Sequence, residues 1–234
     1  MNIVITGASK GIGFETARIL SNDKKNEVFA IARNKHDLNQ LKSPWYNDDV
    51  YENIHIIPFD IVNGNYREEL LPAILGRVSQ IDSLINNAGF LINKPFENIA
   101  DEEFDDIFST NVKGVYRMIR SLLPFMAEHS HIVNIGSMGG IQGSLKFPGL
   151  SLYSASKGAV AILTECLAEE FKEKKISVNC LAPGSAQTEM LEAAFPGFKS
   201  PLTAKEMAEF VAYFALNGHK WFNGKVLPVA LNTP

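Results

Sequence analysis

Two side chains with complementary acid–base chemistry sit four apart in Leu152-Tyr153-Ser154-Ala155-Ser156-Lys157. On a helix, that spacing puts Tyr153 and Lys157 on one face, with the ammonium one turn beyond the phenol. An ammonium beside a phenol favours the phenolate. The free phenol titrates near 10, and each unit of depression is worth about 1.4 kcal/mol. A Tyr tuned in this way can pass a proton near neutral pH. On its own, such a pair is more often a half-buried ring beside a solvated charge. The assignment therefore depends on the elements around it.

The pair opens a helical pattern in which Ala159, Val160, Leu163, Leu167 and Phe171 recur at steps of three or four. At the other end of the chain, a short buried strand (residues 3–5) runs into Thr6-Gly7-Ala8-Ser9-Lys10-Gly11-Ile12-Gly13. A helix follows, with Ile12, Thr16, Ile19 and Leu20 on its apolar face. A glycine-rich turn between strand and helix lets the backbone approach a diphosphate, and the helix N-terminus supplies free N–H groups. The glycines fall at 7, 11 and 13.

The second strand (27–32) ends at Arg33. An Asp or Glu here would hold a ribose 2′-hydroxyl; Arg33 and Lys10 instead supply two cations suited to a 2′-phosphate. A short helix (34–41) and a polar connection (43–53, with Pro44, Asn47, Asp48 and Asp49) precede a third strand (54–59) that ends at Asp60. Residues 66–80 read as helix, started or kinked by Pro72. The fourth strand (81–86) enters Asn86-Asn87-Ala88-Gly89, and 90–99 is a loop. A long helical region (101–125) has Asp101, Glu102 and Glu103 in its first turn and is interrupted by Asn111. That amide either faces solvent or bends the helix toward a site. The fifth strand (131–135) leads to Gly136-Ser137, and a glycine-rich loop (138–150) reaches the Tyr153 helix. The sixth strand (176–181) ends in Ala182-Pro183-Gly184. An amphipathic flap (188–198) carries Met190, Leu191, Phe195 and Phe198; a helix (204–216) and a last strand (225–229) close the chain.

Strands that are continuous apolar runs, alternating with helices, predict an α/β fold of about seven parallel strands covered on both faces. No linker or repeat divides the 234 residues, so they read as one domain with a small substrate flap over 188–202. Net charge is −4 and no basic run tracks a duplex, which argues against nucleic acid as a partner. No signal peptide or membrane span is expected. Cys166 and Cys180 read as buried, reduced thiols of a cytoplasmic protein. His129 and His131 lack a third metal ligand at suitable spacing and read as surface residues or the start of a strand.

Together these motifs resemble the short-chain dehydrogenase/reductase family in its single-domain form. The resemblance covers nearly the whole chain and rests on the residue 6–13 turn, Asp60, Asn86 to Gly89, Asn111, Ser137, Tyr153 with Lys157, and Pro183-Gly184 with Thr188. It implies a Rossmann-like doubly wound sheet and a hydride transfer between nicotinamide and a carbonyl or alcohol, with Tyr153 as general acid/base. Gly7, Ser9, Gly11, Ile12 and Gly13 would cradle the diphosphate. Asp60 would hold the adenine, and Asn87, Ala88 and Gly89 would lie on the ribose side. Lys157 would bind the nicotinamide ribose and depress the Tyr153 pKa. Ser137 would bond the substrate carbonyl, and Asn111 would anchor a water in a relay to Lys157. The loop from Pro183 through Gly184 to Thr188 would hold the nicotinamide amide. Lys10 and Arg33 match the family's NADP(H)-preferring pattern, with NAD(H) as the alternative. Relatives pair their long helices into homodimers or homotetramers; Val112, Val115, Tyr116 and Ile119 would belong to such a face or to the monomer's own core.

Ser137 and Tyr153 are sixteen apart, about three more than the family pattern. Ser144 is nearer but does not follow a strand, so Ser137 keeps the role. Residues 144–148 fall where substrate should enter, and Lys146 there either meets an anionic group or is a solvated loop charge. The short C-terminal part and its apolar flap point to a modest, partly hydrophobic carbonyl substrate. A non-catalytic NADP sensor could dispense with Ser137, Tyr153 and Lys157, and all three are present. An epimerase or dehydratase would call for an added substrate domain.

Overall fold

Strands that are apolar on both faces must be covered on both faces. Seven such strands form one sheet: β1 (Asn2–Thr6), β2 (Glu27–Ala32), β3 (Ile54–Pro58), β4 (Ile81–Asn86), β5 (Met126–Ile135), β6 (Ser177–Pro183) and β7 (Val226–Val229). A computed structural model describes residues 1–43 and 52–231 of the chain. Most of the polar connection expected over 43–53, including Pro44, Asn47, Asp48 and Asp49, lies outside the described residues. The strand order is β3-β2-β1-β4-β5-β6-β7 and every pairing is parallel. The winding thus reverses between β1 and β4, which leaves a crevice beyond their carboxyl ends.

Side chains alternate across the sheet, so neighbouring residues of one strand serve different cores. Ile3, Ile5, Val28, Ala30 and Val133 pack against helices α1 (Gly11–Ser21) and α8 (Ala204–Asn217) through Ala17, Leu20, Val211 and Phe214. Val4, Phe29, Ile31, Leu84 and Ile132 pack on the opposite face against α3 (Leu71–Leu75), α5 (Gly114–Leu122) and α6 (Ser151–Glu170), through Ile74, Met118, Leu122 and Val160. Two short helices, α2 (Lys35–Asn39) and α7 (Glu189–Ala194), follow β2 and β6.

The helix expected over 101–125 is broken. Between α4 (Asp101–Phe108) and α5, the residues Ser109–Lys113 form one wide π-type turn, and Leu123–Phe125 a tighter final one. The helix expected over 66–80 is shorter: a π turn (Tyr66–Leu70) runs into α3, which stops at Gly76. Pro72 lies in the first turn of α3, where its missing N–H is no loss. β5 begins at Met126 rather than His131. Its pairing with β4 jumps from Ile81↔Met126 to Ser83↔His131, and His129 adopts φ 64°. The residues skipped by the jump carry no strand-like alternation that the sequence could display.

Cys180 is buried, as expected, but Cys166 is exposed on the outer face of α6, one turn from the exposed Ile162. His131 is also misplaced by sequence reasoning. It is fully buried within β5; its Nδ1 lies 3.1 Å from the Ala215 carbonyl and its Nε2 3.0 Å from the Asn179 amide nitrogen. A neutral ring donating from Nδ1 and accepting at Nε2 satisfies both contacts. Burial pushes the His131 pKa down to about 4.

This burial sets a pH dependence. Between the ordinary value near 6.5 and about 4, the unfolded chain binds a proton that the folded chain refuses. The contribution is complete above pH 6.5 and is lost as pH falls toward 4, up to about 3 kcal/mol. His131→Gln has no such proton to bind. In urea denaturation, the stability advantage of wild type over this variant should shrink by up to about 3 kcal/mol between pH 7 and pH 4. A pH-independent difference would show that His131 is protonated at no greater cost in the fold than out of it.

Candidate active site

The crevice holds a cavity of about 940 Å³. Its floor is laced by polar contacts between the ends of β1 and β4. The Thr6 hydroxyl accepts the backbone N–H groups of Asn87 and Ala88 (both 3.1 Å), and the Asn87 side-chain amide donates to the carbonyls of Thr6 and Gly7 (both 3.1 Å). The Asn87 amide nitrogen is thus occupied with the shape of the glycine-rich turn. Gly7 takes φ +68°, and a Cβ on Gly13 would fall on the Gly7 carbonyl and the Asn87 amide. Only glycine lets α1 approach this closely. No side chain caps the first turn of α1 and no acidic residue lies in it, so its N–H groups and the positive end of its dipole remain available to an anion. This is the shape and charge a dinucleotide diphosphate needs.

At the far end of the cavity lie Lys10, Arg33, Asp37 and Asp60. Lys10 Nζ is 3.2 Å from an Asp37 oxygen. Burial acts to raise the Asp37 pKa, but hydrogen bonds from Lys10 and His36 outweigh it and hold the carboxyl below its ordinary value. Asp60 accepts the Val62 N–H (2.8 Å) and the Asn63 amide (3.2 Å). Burial again opposes its ionisation, and these bonds with the nearby Arg33 charge prevail. Asp37 was not singled out from the sequence. Its only signal there is an acid four residues past Arg33, in the first turn of a short helix.

At the other end, α6 presents Tyr153 and Lys157. The Tyr153 side chain lies beside the Ser137 hydroxyl, whose oxygen accepts the Gly139 N–H (3.2 Å). Lys157 is 4% exposed; its ammonium donates to the Ile135 carbonyl (2.7 Å) and lies 5.7 Å from the centre of the Tyr153 ring. Burial lowers the Lys157 pKa to about 8. Burial also raises the Tyr153 pKa, opposed only in part by the neighbouring Ser137 hydroxyl. The spacing of Tyr153 and Lys157 predicts a lowered phenol. The structure reverses that direction for the protein alone, because desolvation of the ring outweighs an ammonium whose bond is made elsewhere.

Asn111 is fully buried in the π turn and faces inward. Its Oδ1 accepts the Phe90 N–H (2.7 Å), and its Nδ2 donates to the Phe90 carbonyl and the Ser156 hydroxyl (both 2.9 Å). A Cβ on Gly89 would lie 3.5 Å from Lys157 Nζ and 3.6 Å from Asn111 Oδ1, so Gly89 is where these two polar groups converge. Pro183 ends β6 and Gly184 follows it, and the Thr188 hydroxyl caps α7 by accepting the Leu191 N–H (3.2 Å). All the site residues expected from sequence line the cavity except Gly13 and Asn111, which lie behind its wall. Ser144 does not line it; its hydroxyl bonds the carbonyls of Met138 (2.6 Å) and Ile141 (3.0 Å). Lys146 folds back onto Ile141 and Ser144 in its own loop.

The family model described as short chain dehydrogenase matches residues 1–197. The chain belongs to the short-chain dehydrogenase family. It is an oxidoreductase of that family, and its relatives agree. An uncharacterised oxidoreductase of Staphylococcus aureus strain MW2 is 29% identical over 212 residues, covering 90% of this chain and 88% of the relative. The crystal structure of 3-ketoacyl-(acyl-carrier-protein) reductase from Brucella melitensis complexed with NADH superposes with a TM-score of 0.82 at 26% identity, over 98% of this chain and 96% of that one. ElxO with NADP bound gives a TM-score of 0.83 at 28% identity, with the same coverage. Among the described residues, no helix of this short-chain dehydrogenase is long and apolar enough to cross a membrane, and no group of three or more His, Cys, Asp or Glu could hold a metal.

The inward Asn111 is open to a direct test. Asn111→Ala leaves the Phe90 N–H and carbonyl without their side-chain partner, and stability should fall by about 1–3 kcal/mol in urea denaturation. An unmoved midpoint would show that water takes the place of the amide without loss.

Proposed function

We propose that this short-chain dehydrogenase is an NADPH-dependent carbonyl reductase, running in reverse as an alcohol dehydrogenase, with Tyr153 as general acid/base. The observation that carries the reading is Ser137 and Tyr153 side by side with the Lys157 ammonium buried next to them, in one cavity with the glycine-rich turn and the uncapped N-terminus of α1. The two hydroxyls can converge on one carbonyl oxygen, Ser137 donating a hydrogen bond and Tyr153 a proton as negative charge develops. Lys157 balances the phenolate left behind. Asn111, whose side chain meets Lys157 at Gly89, would anchor a water that returns the proton. The cofactor, when bound, supplies the hydride. Gly7, Ser9, Gly11, Ile12 and Gly13 would hold its diphosphate, Asp60 its adenine, Asn87, Ala88 and Gly89 its ribose side, and Pro183, Gly184 and Thr188 its carboxamide. Lys10 and Arg33 would meet a 2′-phosphate, against the opposing charges of Asp37 and Asp60. The substrate flap over 188–202 would close over the nicotinamide end.

The exposed Phe104, Tyr116 and Ile162 on α4, α5 and α6 suit a homodimer or homotetramer built on these helices, whereas Val115 and Ile119 are buried in the monomer's own core. Light scattering at micromolar concentration should give a mass of two or four chains; a pure monomer would remove this part of the reading.

NADPH consumption with a broad carbonyl panel should exceed NADH consumption by about tenfold or more, and Tyr153→Phe should reduce it by about a hundredfold or more while NADPH still binds. Tight NADPH binding with no turnover of any carbonyl would point instead to a sensor. Calorimetric titration separates the cofactor preference. Asp37→Asn frees Lys10 from its ion pair, so NADPH should bind about three- to tenfold more tightly while NADH binding barely moves. Equal gains for both would place Lys10 away from the 2′-phosphate.

A further inference from the structure

The charged side chains lining the cavity are unevenly distributed. Lys10, Arg33, Asp37 and Asp60 gather beyond β2 and β3, and Glu189 reaches over Gly11, where a Cβ would lie 3.7 Å from its carboxylate. Beyond Ser137 and Tyr153, the lining includes Leu91, Phe147, Leu150, Met190, Phe195 and Phe198, with Ser154 and Ser185 as uncharged polar neighbours. Phe147, Met190 and Phe198 are more than two-fifths exposed (44%, 41% and 48%), so this end of the cavity shows an apolar surface with nothing of the chain against it.

The cations nearest this mouth are turned to other partners or lie outside it. Lys94 Nζ is 2.8 Å from Glu103, Lys146 is bonded to its own loop, and Lys199 is exposed and not part of the cavity wall. A substrate carboxylate or phosphate would therefore lose water and gain no opposite charge except Lys157, which stands with Tyr153. The two apolar walls are also tied together. Asn93 Nδ2 donates to the Ala194 carbonyl at the end of α7 (2.7 Å), the Lys94 N–H donates to the Gly149 carbonyl (3.0 Å), and the Asn93 side-chain oxygen occupies the space a Cβ on Gly149 would need. Gly149 has φ +85°, so the wall carrying Phe147 and Leu150 and the wall carrying Met190, Phe195 and Phe198 hang from one pair of residues.

We propose that this end of the cavity is an apolar clasp that selects uncharged carbonyl compounds bearing a bulky aryl or alkyl group, and discriminates against those carrying a carboxylate or phosphate near the reacting carbon. The group would lie between Phe147 and the flap, with its carbonyl on Ser137 and Tyr153. The proposal rests on the reductase reading, and it deepens that reading by naming the substrate class.

The test compares 4-tert-butylbenzaldehyde with 4-formylbenzoate, which differ in the para group alone. Turnover with NADPH should favour the first by about tenfold or more in kcat/KM. The corresponding alcohols, titrated calorimetrically into the protein with NADP⁺, should show the same order. Met190→Lys sets a cation on the wall and should cut the preference about fivefold or more. Equal or better use of the carboxylate overturns the clasp and leaves the reductase reading standing. So does a preference unmoved by Met190→Lys, and so does failure of both alcohols to bind. Selective binding of the apolar alcohol with neither aldehyde turned over keeps the clasp and counts against the reductase.

Discussion

A charge taken out of water needs a reason, and Lys157 is 4% exposed with a backbone carbonyl as its closest partner. Much of the structure depends on keeping that ammonium in place. The end of β5 supplies the Ile135 carbonyl, and Asn111 is bonded to Ser156, the residue just before the lysine. Gly140 presses so closely on α6 that a Cβ there would lie 2.7 Å from the Lys157 carbonyl carbon. Two stretches of the chain, Asn111 and the segment from Ile135 to Gly140, thus converge on one turn of helix. The burial is unfavourable for the lysine alone, and the lowered pKa of about 8 registers this. An unfavourable group held by so many contacts, at a cavity wall, is what an acid–base site requires.

The second constraint is the sheet order. Because β1 is flanked by β2 and β4, the chain leaves β1 and β4 in opposite directions and exposes their carboxyl ends. Thr6 and Asn87 close this gap from beneath with four hydrogen bonds, so the glycine-rich turn is braced against the end of β4. The substrate end has no such lacing from the sheet. Its walls are a loop and a short helix joined through Asn93 and Lys94. Under the proposed function, the braced half would take the cofactor and the looser half the substrate, a division of labour that suits this topology.

Much of this was legible in the sequence because the informative residues stand at strand ends. Continuous apolar runs locate the strands; Gly7, Asn87, Ser137 and Pro183 then fall just past four of them, and the cavity contains all four. The parts that could not be read are non-local. Spacing puts Tyr153 beside Lys157 but says nothing of how far the phenol is desolvated, and desolvation decides the direction of its pKa. Periodicity gives α6 an apolar stripe but does not fix where its edges fall, so Cys166 was assigned inward although it faces out. Lys146 closes onto carbonyls two and five residues back, and Lys10 pairs with Asp37 across two separate elements. These pairings follow from loop shape, which no hydrophobic pattern encodes.

The charge distribution of the cavity also constrains the chemistry. A dinucleotide bound as proposed would bring at least two negative phosphate charges into a confined space, where the N-terminus of α1, Lys10 and Arg33 would meet them. Those cations are already shared with Asp37 and Asp60, so little positive potential is left over to reach the Tyr153 end. Coulomb interactions over such distances are weak in water but grow as a flap closes and lowers the local dielectric. Under those conditions a second anion beside Tyr153 would be repelled by the cofactor and would also oppose phenolate formation. A neutral apolar group does neither, and it covers hydrophobic surface that is otherwise left to water. Under the proposed function, the apolar lining around Ser137 and Tyr153 would therefore serve the proton transfer as well as the fit of the substrate.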